Sequence, residues 1–233
     1  MQQPKIAVIS YNTPHRKTQD VLSGLKAKGY HFITVFALPF VERENPFLPI
    51  YQHRPSKAIN VQPIDFCQNF GYRFDLTTAE TLNNQLIDYN PDYTIIAGAG
   101  LLPDELVEKH KIINTHPGFL PITRGLDSLK WAITNAVKIG VTTHFVDTEA
   151  DAGFLIEQKH VAVYKNDTFH SLAYRQYETE IEMLVNSIEI IPKMTDFKSL
   201  SSNEFEATRR MPKVIEENLM KAFENYKTKF CQA

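Results

Sequence analysis

Apolar and polar residues alternate along the first half of the chain in blocks that predict strands and helices in turn. Apolar runs bounded by polar residues predict four strands, at residues 6–10, 31–40, 93–97 and 111–115. Amphipathic spacing predicts three helices, at residues 18–28, 78–88 and 103–110. This alternation predicts a doubly wound, mostly parallel α/β sheet with helices on both faces.

The second half continues the pattern and then changes character. We predict a helix at residues 126–135 and strands at residues 141–147 and 154–163. A long amphipathic helix follows and ends at Pro192. Residues 42–63 form a polar, Pro-rich excursion, which inside a compact domain is usually functional or disordered. We therefore predict one domain over residues 1–192. Residues 193–233 form an appendage that could be a helical tail, a lid or a dimer contact.

The amino-acid composition and net charge argue against several classes of protein function. Hydrophobic residues make up 43% and charged residues 22% of the 233 residues, as in a globular protein with a real core. The net charge of -2 argues against a nucleic-acid partner, and no apolar stretch approaches the ~20 residues of a membrane-spanning helix. Cys67 and Cys231 lack the spacing of a zinc site, so we expect no metal. A soluble cytoplasmic protein is expected.

Three polar residues follow the predicted strand at 111–115 in a pattern that suits acyl transfer. Asn114 and His116 are two apart, so on a strand both side chains leave the same face. An Asn amide can donate to a developing oxyanion, an imidazole can accept a proton, and Asp151 can orient the imidazole or relay the proton. Each residue also has an ordinary structural role, because Asn caps, His bonds within cores and Asp occupies turns.

The strings around these residues carry a resemblance. The pattern N-x-H-P-G-x-L-P-x-x-R-G, followed by H-F-V-D-x-x-x-D-A-G-x-L-I-x-Q, resembles the formyltransferases that use a formylated tetrahydrofolate, most closely over residues 90–160. The resemblance implies that Asn114, His116 and Asp151 are catalytic and that 10-formyltetrahydrofolate is the formyl donor. Two residues depart from the pattern: Gly118 stands where many members have Ser, and Thr123 where they have an aromatic residue.

The same resemblance implies a folate pocket. Its expected residues lie in the loop after the strand at 93–97 and in the second string: Ala97, Gly98, Gly100, Leu101, Leu102, Pro103, His144 and Asp147. The alternative for Gly98 and Gly100 is a plain strand-to-helix turn.

The acceptor is less defined. A glycinamide ribonucleotide enzyme needs a Gly-rich phosphate loop after the first strand, which residues 10–16 lack. A tRNA enzyme carries a large C-terminal domain and a basic channel, which the short tail and the net charge of -2 do not suit. The resemblance then favours a nucleotide-linked amino sugar such as dTDP-4-amino-4,6-dideoxyglucose, with 3-amino and 4-amino sugars both open. A non-catalytic nucleotide-binding module is the alternative of another class.

The expected acceptor contacts lie mainly in the Pro-rich excursion and after the catalytic motif. They are Tyr11, Tyr51, His53, Arg54, Arg124 and Trp131. A solvated loop is the alternative for Tyr51, His53 and Arg54, and core packing is the favoured alternative for Trp131. A homodimer is expected from the family and from apolar positions in the tail, namely Met211, Val214, Ile215, Leu219 and Phe223.

Overall fold

The computed structural model describes residues 3–42, 47–149, 151–200 and 205–232. Eight strands form one sheet: β1 Ile6–Tyr11, β2 Ile33–Leu38, β3 Arg73–Leu76, β4 Tyr93–Ile96, β5 Ile112–His116, β6 Gly140–Phe145, β7 Gly153–His160 and β8 Ser199–Leu200. The α-helices are α1 Arg16–Ala27, α2 Pro63–Phe70, α3 Leu82–Tyr89, α4 Asp104–Lys109, α5 Ser128–Thr134, α6 Phe169–Ile190, α7 Lys213–Glu216 and α8 Leu219–Phe230. A 3₁₀ turn, Ile191–Lys193, follows α6.

The sheet confirms the predicted doubly wound architecture. Its strand order is β3-β2-β1-β4-β5-β6-β7-β8, with β1 to β5 parallel and β6 to β8 antiparallel. The order reverses between β1 and β4, and in such sheets ligands bind beyond the carboxyl ends of the strands near that reversal. The loops after β1, β4 and β5 therefore border the expected binding region.

The side chains of β1 are buried on both faces of the sheet, which is why this strand begins with an unbroken apolar run. Ile6 and Val8 pack in the cluster that includes residues of α1 and α6, whereas Ala7 and Ile9 pack in the cluster that includes residues of α3 and α4. Successive side chains point to opposite faces, so a strand covered by helices on both sides needs apolar residues throughout.

Before residue 192, the sequence prediction missed two elements, α2 and β3. The helix α2 has only eight residues, and β3 is a four-residue edge strand whose side chains are at best half-buried. Such short segments show too few periods to stand out. Predicted boundaries also shift, since the helix expected at 78–88 begins at Leu82 and the strand expected at 31–40 spans Ile33–Leu38.

The tail packs on the body of the chain. β8 pairs with β7, and α8 packs against α5 and α6 in one apolar cluster. Met211, Leu219 and Phe223 are at most 2% exposed within this single chain. These three side chains therefore do not offer the dimer contact that the sequence suggested, and Val214 is the exposed one. The division of the chain at residue 192 stays a prediction.

Candidate active site

The side chains of Asn114 and His116 lie at the end of β5, as the spacing predicted. Asn114 is opposite His144 across the β5–β6 pair, and His116 is opposite Thr142. The His116 side chain is only 7% exposed. Within the described ranges the Asn114 side chain has no hydrogen-bond partner, and it lines a cavity of about 120 Å³. We call this the Asn114 cavity; its amide can donate to a ligand there.

His116 and Asp151 form a buried pair. His116 Nδ1 lies 3.0 Å from Asp151 Oδ1, and the other carboxylate oxygen accepts the Gly125 N–H at 2.8 Å. Burial opposes the charge on Asp151, but the His116 ring and the Gly125 N–H outweigh it and lower the pKa of Asp151 to about 2. Asp151 is therefore a carboxylate at neutral pH. It lines the Asn114 cavity, with His116 behind it.

Gly118 and Thr123, the two residues that depart from the family pattern, both lie around the second ring nitrogen of His116. Nε2 lies 2.8 Å from the carbonyl oxygen of Thr123. A Cβ added to Gly118 would overlap that oxygen and come within 2.7 Å of His116 Nε2, so the close approach requires glycine. The Thr123 hydroxyl accepts the Phe119 N–H at 2.6 Å, which closes the loop. Gly118 and Thr123 thus act together to hold His116.

The Asn114 cavity contains five of the eight residues predicted for the folate pocket: Gly100, Leu101, Leu102, His144 and Asp147. The remaining lining was not predicted, although apolar residues at strand ends are a usable signal: Ile96, Val107, Val146, Thr148 and Glu149.

Three predicted folate contacts do not line the Asn114 cavity. Ala97 is fully buried in the core, and Pro103 precedes α4. Gly98 packs under His15, where a Cβ would come within 2.8 Å of the ring. Of the predicted loop residues, Gly100, Leu101 and Leu102 are the ones that reach the cavity.

His144 presents an acceptor to the same space. Its Nδ1 lies 2.7 Å from the carbonyl oxygen of Ala152, which can only accept, so Nδ1 carries the hydrogen. Burial and the neighbouring His116 lower the pKa of His144 to about 4, so the ring is neutral. Its Nε2 is buried and has no hydrogen-bond partner among the described residues. A ligand donor would satisfy that nitrogen.

A second site candidate is a cleft of about 450 Å³ between the excursion and α6, which we call the Arg54 cleft. Among its lining residues are His53 and Arg54, as predicted, with Arg16, Lys57, His170 and Tyr174. Arg54 Nη2 lies 2.7 Å from Glu180, whose side chain is 1% exposed and also pairs with Lys17 at 2.8 Å. Arg54 is therefore already ion-paired within the protein, to a carboxylate that it shares with Lys17.

His53 lines the Arg54 cleft with an uncharged ring, and its role in acceptor binding stays a prediction. Burial and the charge of Lys130 lower the pKa of His53 to about 4, so its ring is neutral at physiological pH. Its Nε2 lies 4.0 Å from Asp127. Lys57 and His170, which the sequence did not single out, occupy the same cleft.

The other four predicted acceptor contacts line neither space. Tyr11 packs edge-on against His15 and Phe40, and Tyr51 against Phe169. Arg124 is 7% exposed and donates to the Phe205 carbonyl. Trp131 is half-buried, neither in a core cluster nor in a cleft, and its indole N–H donates to the Arg209 carbonyl at 2.8 Å. Their roles in binding stay predictions.

Comparison with known proteins identifies the class. A profile described as formyl transferase matches residues 5–188 of the 233 residues. The chain therefore belongs to the formyl transferase family, whose members use 10-formyltetrahydrofolate as formyl donor. Within the described ranges, no cluster of His, Cys, Asp or Glu could hold a metal ion. No helix described is long and apolar enough to cross a bilayer.

Individual relatives differ in their acceptors. The chain is 33% identical over 113 residues to a methionyl-tRNA formyltransferase of Thermodesulfovibrio yellowstonii, covering 47% of this chain and 37% of the relative. It is 32% identical over 89 residues to a dTDP-4-amino-4,6-dideoxyglucose formyltransferase of Mycobacterium bovis, covering 38% of each. A phosphoribosylglycinamide formyltransferase structure from Anaplasma phagocytophilum shares the fold with a TM-score of 0.62 at 22% identity, covering 88% of this chain and 97% of that one. The chain thus spans well under half the length of these two curated relatives.

Proposed function

We propose that this protein transfers a formyl group from 10-formyltetrahydrofolate to the amino group of a nucleotide-linked amino sugar. The observation that carries the proposal is the set of groups around one cavity: the Asn114 amide, which has no hydrogen-bond partner among the described residues, and the Asp151 carboxylate backed by His116. A binding module does not need an unpaired amide beside a buried His–Asp pair.

The Asn114 cavity fits the folate donor in chemistry. Ile96, Leu102 and Val146 supply apolar walls for a flat ring, and Leu101 is 91% exposed at the cavity. The buried, unpartnered Nε2 of His144 accepts a hydrogen bond from a donor group of the ring. When bound, the donor supplies an activated formyl carbon. The protein supplies orientation and hydrogen bonds.

The chain's own residues account for the chemical step. As the neutral amine attacks the formyl carbon, the Asn114 NH2 donates to the oxygen on which negative charge develops. The amine gives up a proton to the Asp151–His116 pair, directly or through water. His116 faces an acceptor at each ring nitrogen, so both contacts are hydrogen bonds at the same time only when both nitrogens carry a hydrogen. The bond between the formyl carbon and the donor nitrogen would then break, and the proton would pass to that nitrogen.

The acceptor is proposed from the Arg54 cleft. Arg16, Lys57 and His170 give it cationic and hydrogen-bonding side chains for phosphates, and Tyr174, 47% exposed, offers a ring face for a base. We propose dTDP-4-amino-4,6-dideoxyglucose, in line with the Mycobacterium bovis relative. Glycinamide ribonucleotide remains the second candidate because its enzyme shares the whole fold. A cytoplasmic location and a homodimer stay predictions; sedimentation velocity measures the latter.

The test is formyl transfer by the purified chain from 10-formyltetrahydrofolate to a panel of amino sugars carried on nucleotides, with product mass as the readout. Glycinamide ribonucleotide and uncharged buffer amines serve as comparison acceptors. A mass gain of one formyl group on a dTDP-4-amino sugar supports the proposal. Gain only on glycinamide ribonucleotide replaces the acceptor, and no gain on any acceptor with folate bound contradicts the activity.

A further inference from the structure

One part of the tail contacts both loops of the candidate site. Residues 205–216, which we call the strap, lie outside the matched family segment at 5–188. They come after β8 in the chain, form a bridge to the loop that carries Gly125, and end in α7, where Glu216 accepts the Ile50 N–H. The family pattern therefore does not explain what they do.

The first contact of the strap fixes the peptide that holds Asp151. Thr208 and Gly125 form a parallel bridge, in which Thr208 N donates to Arg124 O at 3.0 Å and Leu126 N donates to Thr208 O at 2.8 Å. The Thr208 hydroxyl also lies 2.7 Å from Arg124 O. Gly125 has φ +88, and a Cβ there would overlap the Thr208 backbone. Between these bonds, the Gly125 N–H donates to Asp151.

The second contact secures the strap itself. Met211 is fully buried, and its N–H donates to the Asp127 carboxylate at 2.9 Å. The Arg209 carbonyl accepts the Trp131 indole N–H. The strap is therefore attached to α5 and its N-cap at two points that directly follow Thr208.

The third contact reaches the Arg54 cleft. Glu216 is fully buried, pairs with the fully buried Lys130, and accepts the N–H groups of Ile50 and Tyr51 at 3.0 and 3.1 Å. Burial opposes its charge, but Lys130 and the two N–H groups lower the pKa of Glu216, so the carboxylate persists. The loop it holds continues directly into His53 and Arg54.

We propose that the strap is a positioning element with two separable outputs. Thr208 orients the Gly125 peptide and, through it, Asp151, whereas Glu216 orients the excursion and, through it, the acceptor cleft. The kinetic part of this inference rests on the proposed function. It predicts that a defect at Thr208 changes kcat and that a defect at Glu216 changes the KM of the acceptor.

Four variants of the full chain test it. Thr208→Val removes the hydroxyl at nearly constant shape, and Thr208→Ser restores it. Glu216→Gln removes the charge at constant shape, and the adjacent, exposed Glu217→Gln is its control. Because small misplacements of catalytic groups are costly, Thr208→Val is expected to lower kcat about 10-fold with acceptor KM nearly unchanged. Glu216→Gln is expected to raise acceptor KM about 10-fold with donor KM unchanged.

Hydrogen exchange keeps the test independent of the acceptor. Thr208→Val should speed exchange in the peptide containing Gly125 and Leu126, and Glu216→Gln in the one containing Ile50 and Tyr51, with β6 unchanged. Thr208→Ser and Glu217→Gln should match the original chain. If no acceptor is turned over, this exchange pattern still decides the inference. Unchanged exchange at both loops, or equal acceleration throughout the molecule, would overturn it.

Discussion

The Asn114 cavity and the Arg54 cleft both carry polar side chains, but Asn114 and His144 in the cavity differ from Arg54 and His53 in the cleft. In the cavity, the Asn114 amide and His144 Nε2 have no protein partner within the described ranges. In the cleft, Arg54 is paired with Glu180, and His53 is neutral. Unpaired groups await a ligand, whereas paired groups first serve the protein. The contrast explains why the chemistry of the donor side is better defined than the identity of the acceptor.

The largest effect should come from the buried pair. Asp151→Asn keeps an oxygen for the Gly125 N–H but removes the charge beside His116, so formyl transfer should fall about 10²- to 10⁴-fold, as for loss of an acid–base group. The loss should be the same for every acceptor. Single-turnover transfer measures it, and circular dichroism checks the fold. A loss confined to one acceptor would contradict the assignment of Asp151 to the Asn114 cavity alone.

Glycine substitutions sharpen the same comparison. Gly118→Ala should push the Thr123 carbonyl away from His116 and lower kcat about 100-fold, as a misplacement of about 1 Å does. Gly29→Ala, in the turn after α1 and outside the Asn114 cavity, is the control, since an added Cβ there meets nothing within 4 Å. Its kcat should stay close to that of the original chain. Equal kcat in the two variants would remove Gly118 from the account of His116.

The His116–Asp151 pair should also change how the free energy of unfolding depends on pH. Its folded pKa of about 2 lies below the ordinary 3.8, so it stabilises the fold above pH 3.8 and loses that contribution as pH falls through 2. The difference corresponds to about 2 kcal/mol of unfolding free energy at neutral pH. Urea unfolding at pH 2 to 6 measures it. Asp151→Asn should flatten the curve in this window, and Asp88→Asn, at an exposed carboxylate, should not.

The smallest expected effect is that of a substitution in the Arg54 cleft on the KM of the acceptor. Because the Arg54 charge is shared with Glu180, Arg54→Ala should raise acceptor KM only about 10-fold, equal to about 1.4 kcal/mol of binding. Donor KM and the folate affinity of the Asn114 cavity should not change. Initial-rate kinetics with each substrate varied separately give both constants. A rise in donor KM would show that the two spaces are coupled.

The sequence predicted those features of the fold and site that depend on residues close together in the chain. The two-residue spacing of Asn114 and His116 placed both at the end of one strand, and the apolar run at 6–10 predicted β1. Pairings between distant residues left no local trace. Glu180 pairs with Arg54, Thr208 bridges to Gly125, and the burial of His53 shifts its pKa, all through contacts that only the folded chain creates.

The central claim is that the Asn114 amide acts on the formyl group of the donor. The most direct measurement follows a ¹³C-formyl label from 10-formyltetrahydrofolate to dTDP-4-amino-4,6-dideoxyglucose by NMR, for the original chain and Asn114→Ala side by side. We expect a labelled formamide with the original chain and about a 10²- to 10³-fold slower appearance with the variant, at unchanged folate binding. Equal rates in the two proteins would contradict it.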